Sequence, residues 1–551
     1  MKNTKITSIV LMGFCFFSFL NGNASDIPHL KKKGNATQLI VNDRPFIMLA
    51  GEIHNSSSST LEYMETIWPK LKNFNTNTVL MPISWEQFEP EEGKFDYTLV
   101  EGLIRQARAN DMKIVFLWFG SWKNGLSSYV PIWVKKDTKR FPLSKDPKGK
   151  SKDLLTPLGT NSRNADAKAF AALMRHIKEV DGNQHTVIMM QIENEVGIQP
   201  EPRDFSETAN AAYFSEVPQE LMKYLTQHKK ELHPELLKRW GKNGFKTKGN
   251  WEEVFGGSWE ADEIFSAWHY AKYLQEVTAA GKQEYPLPMF TNAWLPDPNG
   301  QPHTWPSGGP VPNVLDIWRA AAPAIDALSP DIYQPGFKWL CEEYTRNGNP
   351  LLIPEAHRGD DAAARAYWAI GKHDAICFAP FGIESMPEEH PIKDAYALLK
   401  QAMPLITDAQ GTGRMTALYW QDTQKESKDT TITLGNWNLR VRYTERGLPP
   451  NARPGAIIIQ SAEDEFYIIG QGIEIGFRSK ETKGPANTDV LTSEMGRFEN
   501  GVFIKELQLN GDEIASHSTT LYRTRIPINP SNTFLDPSKP RILKVRVYRY
   551  D

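Results

Sequence analysis

Val187-Ile188-Met189-Met190-Gln191-Ile192-Glu193-Asn194-Glu195 is apolar almost throughout and ends in two acids flanking an amide. A short, nearly unbroken apolar run suits a parallel strand covered on both faces, and its polar end marks the edge where a loop begins. Seven other runs share this character: 46–52, 78–84, 113–120, 287–294, 326–333, 350–356 and 374–384. Amphipathic segments lie between them. Residues 97–109 carry Val100, Leu103, Ile104 and Ala107 at helical spacing, and 165–180 carry Phe170, Leu173, Met174 and Ile177. Strands alternating with helices predict an α/β fold, a (β/α)8 TIM barrel whose working loops follow the strand ends. A doubly wound open sheet is the alternative. Its nearest glycine fingerprint, Gly470-x-Gly472, has the wrong spacing to Gly476 and comes too late in the chain.

The barrel is expected over residues 25–405 with two insertions. The first, 135–152, is strongly basic and follows the third strand. The second, 199–285, contains Trp240, Trp251, Trp259 and Trp268 and follows the fourth. Both would sit on the C-terminal face of the barrel. Over 408–551 the pattern changes to short strand-like runs at 430–434, 439–443, 456–460, 466–469, 473–477, 503–509 and 542–548, with Asn510-Gly511 in a hairpin position. A C-terminal β-sandwich domain is expected there. At the other end, Lys2 and Lys5 precede an apolar run over 6–20, and Gly22-Asn23-Ala24 follows. Residues 1–24 thus read as a signal peptide cleaved after Ala24, and the chain is expected to be exported to the periplasm or the extracellular space. Phe14 stands where lipidation of Cys15 would need a small residue. Beyond that segment only Cys341 and Cys377 remain, expected as separate buried thiols.

The 551 residues are 40% hydrophobic, enough for a large core without disulfide or metal staples. Lys and Arg total 63 against 66 Asp and Glu, a net charge of −3, which argues against a nucleic-acid partner. No segment after residue 24 resembles a membrane span. There is no HExxH run and no cluster with metal-ligand spacing, so neither a metal nor a cofactor is expected. Assembly into a homo-oligomer is left open by the sequence.

Two strand ends carry the chemistry. The fourth run finishes at Glu195, and the seventh, Leu351-Leu352-Ile353-Pro354-Glu355, at Glu355. Strands four and seven of a barrel can face each other across its mouth. Glycoside hydrolysis needs two carboxyl groups flanking one bond, one to protonate the departing oxygen and one to attack the anomeric carbon or activate water. Glu193 competes with Glu195 as the acid, because strand alternation places both on one face. Glu195 is nearer the mouth and is preferred, with Glu193 structural.

Asn194-Glu195 together with Glu355 resembles the clan A glycoside hydrolases. Within that clan, Gln191-Ile192-Glu193-Asn194-Glu195-Val196-Gly197 is similar to the acid/base motif of glycoside hydrolase family 35, the β-galactosidases. Gly51-Glu52-Ile53-His54 supports the likeness, as do Trp85, Glu89-Pro90, Gly93, Phe95 and Asp96. The resemblance implies that Glu195 is the general acid/base, Glu355 the nucleophile of a retaining reaction, and Asn194 the partner of the sugar 2-hydroxyl. It is closest to a divergent bacterial branch with an appended C-terminal β-domain. The chain departs from the family at Val196, where Tyr is usual, and over Trp118-Phe119-Gly120-Ser121-Trp122-Lys123-Asn124-Gly125. Glu52, His54, Trp118, Trp122, Asn292, Trp294 and Tyr333 complete the expected substrate pocket. Glu52 and Glu89 are expected as hydrogen-bonding supports, and the Trp side chains as stacking surfaces for a pyranose. The implied activity is an exo-β-galactosidase that releases terminal galactose from oligo- or polysaccharides such as plant-wall galactosides. The alternatives are a clan A exo-glycosidase for another β-glycoside and a non-catalytic carbohydrate-binding barrel.

Overall fold

The fold comes from a computed structural model that describes residues 26–297, 300–302, 304–421, 425–509, 526–528 and 538–551. The expected signal peptide and the Asn510-Gly511 turn lie outside the described residues. Eight parallel strands close a barrel: β1 (Met48–Glu52), β2 (Thr78–Ser84), β3 (Lys113–Lys123), β4 (Val187–Asn194), β5 (Met289–Trp294), β6 (Ala327–Ile332), β7 (Leu352–Ala356) and β8 (Cys377–Pro380). Every one of the eight expected strands is present: β2 has the bounds expected, β3 runs on to Lys123, and the other six are trimmed. Among the intervening helices are α1 (Thr98–Ala109), α2 (Thr160–Asp181) and α3 (Trp259–Glu284). Further along the chain come α4 (Ala362–His373) and α5 (Ile392–Ala409).

Period-two alternation divides the strands between two cores. Val115, Leu117 and Phe119 of β3 point into the barrel with Met48, Ala50, Leu80, Phe290, Ala327 and Leu352. Ile114, Phe116 and Trp118 point outward, into the layer shared with the helices. Strands buried on both faces explain why the sequence runs are almost wholly apolar. An antiparallel sheet of His29–Lys33, Ala36–Val41 and Arg44–Phe46, unforeseen in the sequence, adds Leu39 and Val41 to the interior cluster. It takes Phe46 out of the first expected strand.

The basic insertion forms a hairpin, Leu143–Lys145 with Ser151–Leu155. The second insertion is shorter than expected. Its four small helices end at Phe255, and the remainder is α3, a barrel helix that packs on α2 so closely that a Cβ on Gly281 would stand 2.2 Å from Phe170 Cε1. Trp240, Trp251 and Trp268 are buried in this layer and do not line the mouth.

The C-terminal region holds two antiparallel sheets. Its strands are β9 (Met415–Tyr419), β10 (Asp429–Leu434), β11 (Trp437–Tyr443), β12 (Gly455–Ala462), β13 (Glu465–Gln471), β14 (Ile473–Ser479), β15 (Asn487–Glu499), β16 (Val502–Leu509), β17 (Ile526–Pro527) and β18 (Arg541–Tyr550). One sheet has the order β9-β12-β13-β18-β15-β16, the other β10-β11-β14-β17. β15 escaped the sequence analysis because its residues are mostly polar and half-exposed. The larger sheet is covered on both sides. Ala456, Ile458, Phe466, Ile468 and Leu543 meet the smaller sheet, while Ala417, Tyr419, Ile457, Ile459 and Ile469 join the core of the barrel's helical layer. A Cβ on Gly371 of α4 would stand 2.8 Å from Ile457 Cγ1 and 2.9 Å from Ala417 Cβ. Gly371→Leu is therefore expected to cost about 1–3 kcal/mol through overpacking. Urea unfolding measures it, and an unchanged midpoint would mean that α4 and the sheet do not press together.

Candidate active site

The C-terminal ends of the strands bring a cluster of carboxyl groups together. Asn292 follows Phe290 by two residues on β5, and Asp331 lies four beyond Ala327 on β6, so alternation turns both inward. β7 needs a correction to its phase. The pairing with β8 shifts register between Ile353 and Ala356, a bulge that brings Glu355 to the mouth where plain alternation from Leu352 would not. β4 ends with Glu193 at φ 57° and Glu195 at φ 46°, left-handed conformations uncommon for residues with a side chain. This breaks the alternation, so the two acids do not share a face as the sequence suggested.

Glu193 is structural. Its carboxylate accepts from Ser121 N (3.0 Å) and Trp122 N (2.7 Å), in a bulge where residues 119–122 of β3 oppose it alone. Ser121 Oγ and Trp118 Nε1 donate to the neighbouring Asp166, at 2.6 and 2.8 Å. A Cβ on Gly120 would stand 2.6 Å from Glu193 Oε1, so only glycine fits there. Burial and then Asp166 push the Glu193 carboxyl well above the usual range.

Glu195, Asp331 and Glu355 present carboxyl oxygens within 4.8 Å of one another. All three are buried. Tyr333 Oη donates to Glu355 Oε2 at 2.6 Å, while Glu355 Oε1 is buried without a partner. Burial, then the Glu355 charge, pushes Glu195 up; Lys123 and a hydrogen bond shared with Asp331 hold the rise to about 8. Asn292 Oδ1 accepts from Glu195 N at 2.9 Å, and its Nδ2 donates to Asp331 Oδ2 (2.7 Å) and Asn194 Oδ1 (3.1 Å). Asn194 Nδ2 donates to Asn124. Glu52 is fully buried with both carboxyl oxygens unpartnered, and burial followed by Glu355 pushes it well up.

Most of the expected pocket converges here: Glu52, Asn194, Glu195, Asn292, Tyr333 and Glu355. His54 borders it, its N donating to Glu384 Oε1 and its ring nitrogen Nε2 lying 2.8 Å from Ser385 Oγ. Trp294 is half-buried on the inner face of β5. Trp118 and Trp122 are corrections. Outward phase puts the first against Phe88 and Phe170, and the β3 bulge turns the second onto Tyr270 and Tyr273, so neither offers a face to a sugar. Glu89 is the support expected, accepting from Trp85 Nε1 and Gly93 N. Cys341 and Cys377 are free and buried. Four site residues were missed: Lys123, Asn124, Asp331 and Glu384. Asp331 could have been found from its place two residues before Tyr333. Lys123 and Asn124 could not, because the bulge that aims them leaves no periodic trace.

A family profile described as β-galactosidase, glycoside hydrolase family 42, matches residues 55–257. Over that stretch, which takes in β2, β3 and β4 of the barrel, the chain is similar to that family. The match is to family 42 where the sequence resemblance pointed to family 35. The Asn-Glu pair and the distant Glu that carried that resemblance are marks of the whole clan. The matched stretch holds Glu195 and not Glu355. A domain of unknown function, DUF5597, matches 392–519, which takes in α5 with most of the β-domain. No curated protein matches the chain. Among solved structures, the β-galactosidase of Bacillus circulans sp. alkalophilus is 14% identical with a TM-score of 0.46, covering 66% of this chain and 57% of its own. The β-galactosidase of the psychrophilic Marinomonas ef1 is 12% identical with a TM-score of 0.43, covering 66% and 60%. The β-amylase catalytic domain of Paenibacillus polymyxa is 13% identical with a TM-score of 0.44, covering 64% and 98%. This chain thus spans little more than half the length of the first of these.

Glu193→Ala strands the N–H groups of Ser121 and Trp122. It is expected to cost about 2–5 kcal/mol, since each buried unpaired donor costs about 1–3 kcal/mol. Thermal unfolding measures this; a variant as stable as the parent would remove Glu193 from its structural role.

Proposed function

We propose that the chain is a retaining exo-glycoside hydrolase, exported from the cell, that removes terminal β-galactose from oligo- or polysaccharides such as plant-wall galactosides. The observation that carries this is the close approach of Glu195 and Glu355, with oxygens inside 4.8 Å. Retaining pairs stand about 5–5.5 Å apart and inverting pairs about 6.5–9.5 Å, where a water must fit between. Glu355 Oε1, the unpartnered oxygen, attacks the anomeric carbon, while Tyr333 holds Oε2 in place. Glu195, protonated, gives its proton to the departing glycosidic oxygen. Its carboxylate then takes a proton from water, which attacks the glycosyl ester and returns Glu355 with the configuration kept. Asn194, fixed by Gln191 and Asn292, is the partner for the 2-hydroxyl. The buried free oxygens of Glu52 and Glu384 suit the hydroxyls of a terminal sugar. The family 42 match supports galactose. Export rests on the residue 1–24 pattern.

A panel of nitrophenyl β-glycosides tests the reading. Turnover of the galactoside is expected, with a product of retained configuration by NMR. Turnover of another glycoside alone would replace the sugar, and turnover of none would favour a binding barrel. Glu355→Gln is expected to lower kcat at least about 1,000-fold with the circular dichroism spectrum unchanged. Glu195 must be protonated to donate, so kcat/KM is expected to fall as the pH rises through about 8.

A further inference from the structure

Lys123 has no part in the two-carboxyl chemistry, yet the fold aims it at the mouth. The β3 bulge sets it opposite Asn194, beside the acid/base, and its backbone exchanges hydrogen bonds of 2.8 and 3.0 Å with Leu126. The side chain is 7% exposed, and Nζ stands 4.9 Å from the centre of the Phe119 ring. Among the described residues it makes no contact ion pair; its charge acts on Glu355, Glu195, Glu52 and Asp331 together. Those acids come from β7, the end of β4, β1 and β6. Glu384 beyond β8 and the hydroxyls of Tyr129 and Tyr333 complete the titratable groups around them.

A buried net charge is costly, so a dry pocket tends towards neutrality. Glu52, Asp331 and Glu195 are all pushed up, by burial first and then by Glu355, so the pocket favours their neutral forms. A carboxylate nucleophile then leaves one negative charge, and Lys123 supplies one positive charge. Burial works against the ammonium, but Glu355 and the other acids outweigh it and hold it above its usual range. We propose that Lys123 is a positioning residue of this centre: its ammonium balances the single carboxylate charge that Glu355 carries to attack. This rests on Glu355 being the nucleophile.

The full-length chain is compared with Lys123→Met and Lys123→Arg by thermal unfolding between pH 5 and 8.5. Without the ammonium a carboxylate becomes harder to hold in the folded state, so its cost appears only as pH rises above the carboxylate range. The Tm gap between parent and Lys123→Met is expected to widen by about 1–2 °C from pH 5 to pH 8, with Lys123→Arg following the parent. Parallel profiles would overturn the proposal, since lost packing costs the same at every pH. Should Lys123→Met alone not fold, Lys123→Met/Glu355→Gln is expected to fold, because it removes both charges. A double variant no more stable than Lys123→Met would equally overturn the pairing. In activity, Lys123→Met is expected to move the alkaline limb of the kcat/KM profile, which Glu195 sets, upward by about one pH unit. An unmoved limb also rejects it. Absence of turnover in the parent would sink the hydrolase reading, while the pH-dependent Tm gap would still decide the charge pairing.

Discussion

The hydrogen bonds from Ser121 and Trp122 N–H to the Glu193 carboxylate set up the mouth of this barrel. They gather four residues of β3 against one of β4, and so decide where the next residue, Lys123, points. The same bonds hold Glu193 away from the mouth while Glu195 enters it. A strand end without that anchor would put two acids on one face, as alternation demands, and Glu195 would have a competitor for the role proposed for it. The cost is backbone strain at Glu193 and Glu195, both with positive φ. Such strain persists where surrounding contacts over-determine it, here two amides, Asp166 and the tight approach of Gly120.

The second constraint is electrical. Four carboxyls share a space with one ammonium, and burial opposes charge on Glu52, Glu195, Asp331 and Lys123. The site resists ionisation of Glu195, as the proton-donor role proposed for it requires. Glu355 has one oxygen held by Tyr333 and the other free to react. The pairing of a fixed oxygen with a free one follows from the bulge in β7, which a regular strand would have lacked.

The parallel strands were legible in the sequence because they are buried on both faces, which leaves uninterrupted apolar runs. Glu195 and Glu355 were legible because each closes such a run. The expected stacking role of Trp118 and Trp122 failed for a different reason. Composition cannot tell a pyranose platform from a core residue, and the phase of β3 sends one outward before the bulge redirects the other. Lys123 and Asn124 sat within a stretch noticed as unusual, but their aim depends on how many residues the bulge absorbs. The strand 487–499 was hidden because its residues are mostly polar and only Ser493, Met495 and Gly496 are buried.

Along β9, β12 and β13 the larger C-terminal sheet is wetted on neither broad side, since α4 and α5 press on one and the smaller sheet on the other. It is therefore not a portable attachment, like a binding module on a tether, but a wall common to both halves of the molecule. Cutting the gene at the apparent seam would leave two raw apolar surfaces. For the same reason, sequence drift in either half is answerable to the other: a substitution in a barrel helix has to suit isoleucines encoded almost a hundred codons downstream.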